Sequence, residues 1–116
     1  MKYLKTYESL SYTDIRNDIE DILSEIVDMG YRVRVLLTDF FHIVEINIYN
    51  RSHPEAFTQE NLEEINQTIG RLYDYMRGHK EYGNVIQLQG DKRQDLRDIL
   101  VKDYKINPEC IELHGY

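Results

Sequence analysis

Apolar residues Ile15, Ile19, Ile22, Ile26 and Met29 recur at three- and four-residue intervals, the repeat that gathers side chains on one side of an α-helix. The spacing predicts a helix over 13–29, with Thr13 as N-cap and Gly30 at the left-handed position that ends helices. The pattern then changes to alternation. Tyr31, Val33, Val35 and Leu37 interleave with Arg32, Arg34 and Leu36; after Thr38–Phe41, Val44, Ile46 and Ile48 interleave with Glu45 and Asn47. Period two on both sides of a short connection predicts a β-hairpin with an aliphatic inner face, and Arg32 and Arg34 able to meet Glu45 on the outer face.

A second helical stripe, Leu62, Ile65, Ile69, Leu72, Tyr73 and Met76, follows a loop that carries Pro54. Its expected start is Thr58 as N-cap, with Phe57 stapled onto Leu62, and its expected stop is Gly78. Residues 84–89 predict a short strand closed by Gly90. Asp91 with Gln94 resembles a capping box for a third helix with a narrow edge of Leu96, Ile99 and Leu100. Asn107-Pro108 breaks the chain, and 110–114 predicts a last strand with Ile111 and Leu113 inward. The order αββαβαβ implies an α+β protein, a two-layer α/β sandwich with a mixed sheet and helices on one face. The segment 31–89 is similar in element order to part of a ferredoxin-like fold. With 116 residues, one domain spanning 1–116 is expected, and 1–11, which lack a clear period, read as an N-terminal arm.

One charge pattern stands out. Asp14, Asp18, Asp21, Glu25 and Asp28 repeat at helical spacing one position before the apolar set, so an acidic row flanks the buried stripe. No Lys or Arg lies within the row, and each like-charge pair one turn apart costs a few tenths of a kcal/mol. Such a row is either a solvated face or a docking surface for a basic partner. The net charge of −7 disfavours nucleic-acid phosphates, so nucleic acid is not the expected partner. Ten tyrosines against three phenylalanines suggest an association surface, with Tyr49 and Tyr75 as its candidates, and a homo-oligomer is expected.

Catalytic and metal chemistry find little footing. On a strand, Cys110, Glu112 and His114 would share a face with Cys110 and His114 about 13 Å apart, too far for a thiol–imidazole pair. No zinc-ligand spacing occurs, His42, His53 and His79 fall in expected loops, and Gly90-Asp91-Lys92 lacks the second glycine of a phosphate cradle. No catalytic residue, metal ligand or cofactor is therefore assigned. A single cysteine and the lack of a leader or a membrane-length apolar run imply a cytoplasmic protein with no membrane role.

The opening Met1-Lys2-Tyr3-Leu4-Lys5-Thr6-Tyr7-Glu8-Ser9, before an acidic helix and a hairpin, resembles the start of small uncharacterised proteins of tailed bacteriophages. The resemblance implies a phage accessory protein in the host cytoplasm that binds a host or defence component, or a minor virion component. Together these readings lead to a non-enzymatic binding protein with a protein partner, engaged through the acidic helix face or the tyrosine-rich surface. The alternatives are a DNA-mimicking inhibitor, a small-ligand sequestering protein and a small enzyme.

Overall fold

The structure is a computed structural model that describes residues 2–48, 59–79, 83–90 and 92–114, with the side chains of 2–11 and 59 outside the description. Four helices, α1 (Lys2–Ile22), α2 (Ser24–Asp28), α3 (Gln59–His79) and α4 (Arg93–Lys102), accompany strands β1 (Arg32–Leu37), β2 (His42–Asn47), β3 (Asn84–Gln89) and β4 (Ile111–His114). The strands form one sheet in the order β1-β2-β3-β4. β1 and β2 are antiparallel, whereas β2 to β3 and β3 to β4 are parallel. This is the expected α+β sandwich, with α3 bridging β2 and β3, and α4 bridging β3 and β4.

The first helix departs from its expected bounds. It starts at Lys2, so the backbone of the expected arm is helical and Thr13 lies inside the helix rather than capping it. A local break at Leu23 divides the expected 13–29 helix in two, although the ladder continues through Leu23 N–H to Ile19 O at 3.0 Å and Val27 N–H to Leu23 O at 3.1 Å. Ser24 Oγ donates to Asp21 O at 2.8 Å at this break. Side-chain competition of this kind bends helices. Beside the bend Leu23 is fully buried and Ile22 is half-buried, so the core stripe is Ile15, Ile19, Leu23 and Ile26.

The end of α2 matches the expectation in atomic detail. Gly30, at φ +96, donates to Val27 O at 2.9 Å, and Tyr31 donates to Ile26 O at 3.3 Å, the two bonds of a Schellman cap. Other termini differ. The expected Thr58 cap and Phe57 staple lie outside the described residues, and α3 runs one residue past Gly78 to His79. The expected cap Asp91 also lies outside the described residues; Lys92 stands at the N-cap of α4 with no side-chain cap bond, and Gln94 Nε2 donates to Asp98 Oδ1 at 2.9 Å.

One sheet face holds the core. Val35, Val44, Ile46, Ile48, Ile86, Leu88 and Ile111 are buried there against Ile19, Ile26, Ile65, Ile69, Leu72, Met76, Leu96 and Leu100 of the helices. His42, expected in a loop, is the first residue of β2 and is buried, because its N–H bonds Gly83 O at 2.8 Å and extends the ladder. Gly83 has φ +81, and a Cβ there would overlap the Phe40 carbonyl oxygen. Only glycine lets the chain enter β3 beside the hairpin turn.

Candidate functional site

The acidic row of α1 and α2 runs along α3. Tyr75 Oη donates to Asp18 Oδ2 at 2.6 Å, while Thr68 Oγ1 at 3.5 Å and Arg71 Nη2 at 3.4 Å reach Glu25 Oε2. Asp18 and Glu25 are seven residues apart and meet one side of α3, since Thr68, Arg71 and Tyr75 follow the same three- and four-residue spacing. Asp14, Asp21 and Asp28 are exposed along the same helices, as are Asp18 and Glu25 themselves. Asp18, Glu25 and Tyr75 therefore converge in an interhelical seam. Tyr49 lies outside the described residues.

Burial of the Tyr75 phenol is the largest influence on its proton, followed by the hydrogen bond to Asp18 and the negative fields of Asp18 and Asp14; together they push its pKa well above the ordinary tyrosine value. The Tyr75 ring also stacks on His79, with centroids 4.3 Å apart. His79, expected in a loop, is the last residue of α3, and its Nδ1 lies 3.0 Å from Tyr75 O. This seam holds α3 against α1, and its phenol stays a hydrogen-bond donor far into the alkaline range.

The second surface is the sheet face opposite the helices. Pairing places its side chains in three rows: Arg32, Asn47, Gln89 and His114; Arg34, Glu45, Gln87 and Glu112; and Leu36, Ile43 and Val85. Arg34 Nε and Glu45 Oε2 are 2.9 Å apart, the cross-strand pair that alternation predicts. Gln89 Nε2 donates to Glu45 Oε1 at 3.2 Å, and His114 Nε2 and Gln87 Nε2 stand 3.0 and 3.4 Å from Glu112 Oε2. No described element packs on this face. Leu36 is 47% exposed, and beyond the apolar row the hairpin turn presents Phe40 at 78% and Phe41 at 48%.

A third feature is an open cavity of about 800 Å³ where α3 ends near the start of β3, lined by Phe41, Tyr73, Arg77, Asn84 and Cys110 among others. The Arg77 guanidinium stands 5.9 Å from the Tyr73 ring centroid. Cys110 lies in a single 3-10 turn, Pro108–Cys110, rather than on β4, because Asn107 Oδ1 accepts from Glu109 N–H at 3.0 Å and starts a turn. The expected alternation of Cys110 with Glu112 and His114 thus fails at its first member. Among the described residues no group of three or more His, Cys, Asp or Glu side chains is arranged to hold a metal ion, and no helix is long and apolar enough to cross a membrane.

The sequence marked the acidic row but not its partners on α3, which only docking supplies. On the outer sheet face it placed Arg32, Arg34 and Glu45 together and set Glu112 and His114 on one face of the last strand, but it did not join the two groups through Gln87 and Gln89.

No family model matches the chain, and no solved structure matches it. A segment of 38 residues is 42% identical to eukaryotic translation initiation factor eIF1 of Drosophila melanogaster. That segment is 33% of this chain and 34% of the factor, so the match spans about a third of the relative's length.

Proposed function

We propose that the chain is a non-enzymatic binding protein that acts in translation initiation by docking a basic protein of the initiation machinery. The observation that carries this reading is the 38-residue segment 42% identical to an initiation factor. The net charge of −7 and the exposed carboxylates Asp14, Asp21 and Asp28 support a basic protein rather than an RNA as the partner. Asp18 and Glu25 take part at the edge of this surface while tied to α3. A phage accessory protein directed at a host or defence component would use the same acidic surface, and the resemblance of residues 1–9 supports that variant of the reading.

The test is co-sedimentation of the purified protein with ribosomal subunits and initiation complexes, together with the effect of added protein on start-site use in a translation extract. Binding that weakens with salt, and that is lost in Asp14→Lys/Asp21→Lys/Asp28→Lys, is the expected result. Those three positions leave the Tyr75–Asp18 and Arg71–Glu25 contacts in place. A protein that neither sediments with these particles at low ionic strength nor alters initiation overturns the proposal.

A further inference from the structure

The outer sheet face differs from the rest of the molecule in charge. The chain carries −7, yet the three outward rows hold two cations, Arg32 and Arg34, against two carboxylates, Glu45 and Glu112, with His114 beside Glu112. A neutral face on an acidic protein offers no attraction to nucleic-acid phosphates, and it is where two copies can approach with least repulsion.

We infer that the outer face binds a second copy of this chain, sheet against sheet, about a twofold axis parallel to the strands. That operation lays β1 of one copy over β4 of the other and keeps each row over itself. The face is complementary to itself under this rotation. Arg34, at one end of the middle row, comes opposite Glu112 of the second copy at the other end, and the contact occurs twice. Glu45 comes opposite Gln87, and Asn47 opposite Gln89. In the apolar row Ile43 meets Val85, with Leu36 at the edge. The cations sit on β1 and Glu112 on β4, so a rotation about an axis perpendicular to the strands would lose the Arg34 to Glu112 match.

Four strands about 4.8 Å apart and six residues of about 3.3 Å each make a face of roughly 19 by 20 Å. That is at the low end for a specific interface, so the dimer is a weak, reversible one that forms in the micromolar range. Arg34 already pairs with Glu45, and Glu112 with His114, but each carboxylate has lone pairs to spare for a second donor. The inference stands apart from the translation reading, since it concerns the opposite face from the acidic row.

Analytical ultracentrifugation of the full chain from about 1 µM to 1 mM tests it. The wild type is expected to pass from monomer to dimer over that range, and Arg34→Glu and Glu112→Arg each to weaken association on the order of tenfold. Mixing the two single variants restores the dimer, because every Arg34 to Glu112 contact then pairs opposite charges; Arg34→Glu/Glu112→Arg in one chain does the same. Circular dichroism checks that each variant is folded. A wild type that stays monomeric to 1 mM, a dimer unaffected by either reversal, or variants that fail to rescue one another each overturn the inference. So does a wild-type face that binds RNA or another protein while remaining monomeric.

Discussion

The two faces of the sheet are built from the same strands by alternate residues, yet they obey different rules. On the inner face Ile46 and Leu88 are fully buried among helix side chains, where shape and volume decide stability. On the outer face their neighbours Glu45 and Gln87 are only partly buried and hold polar partners at hydrogen-bond distance, where each contact is worth little. One face therefore carries the fold, and the other is free to carry recognition. Substitution can be neutral for stability on one side of a peptide unit and damaging on the other.

The sharpest way to break this comparison is truncation at adjacent positions of β2. Ile46→Ala is expected to cost about 2–5 kcal/mol, the transfer energy of the lost carbons plus the cavity left in the core. Glu45→Ala is expected to stay within about 1 kcal/mol, since Arg34 is highly exposed and the pair is screened. Urea denaturation of both variants checks the contrast; comparable losses would show that the outer face is part of the fold's support.

A smaller effect is expected at the turn that brings β3 beside the hairpin. Gly83→Ala places a Cβ against the Phe40 carbonyl at positive φ, and backbone strain of this kind costs about 1–3 kcal/mol. His42 and its bond to the Gly83 carbonyl would shift with it. The thermal midpoint should fall, and amide exchange at His42 should rise. An unchanged midpoint would mean that the turn has room to rebuild.

The smallest expected effect lies in the α1–α3 seam. Tyr75→Phe removes one hydrogen bond to Asp18, worth about 0.5–1.5 kcal/mol near neutral pH. The pH dependence adds a sharper test. Because the folded pKa of Tyr75 is raised, the unfolded chain loses this proton first. The contribution is therefore complete below about pH 10, the ordinary tyrosine value, and is lost as pH rises toward the folded pKa. The stability difference between wild type and Tyr75→Phe should shrink steadily above about pH 10. A difference that stays constant into strong alkali would show that the phenol gains nothing from its site.

Local pattern determined much of this protein. The hairpin with its inward Val35, Val44 and Ile46, the Arg34 to Glu45 pair, the stripe on α3, the left-handed Gly30 and the short strand 84–89 all follow from periodicity and glycine chemistry within windows of a few residues to about twenty. Ends were less legible. Thr13 has a good capping side chain, yet the helix continues through it to Lys2, since a cap is used only where the chain turns. His42 reads as a loop residue beside two phenylalanines, and becomes buried strand because Gly83 offers it a carbonyl.

Tertiary structure alone decided which acids meet which partners. Asp18 and Tyr75 are 57 residues apart, and Glu25 and Arg71 are 46 apart, so no spacing rule links them; packing of the apolar stripes brings those flanks together. The same holds for the outer face. Alternation says that Arg34, Glu45, Gln87 and Glu112 point away from the core, but only strand order and register set them in one row. Periodicity is a property of a single element and is written in its own residues, whereas register and docking are properties of pairs, settled by whichever arrangement buries the most apolar surface with its backbone bonds made.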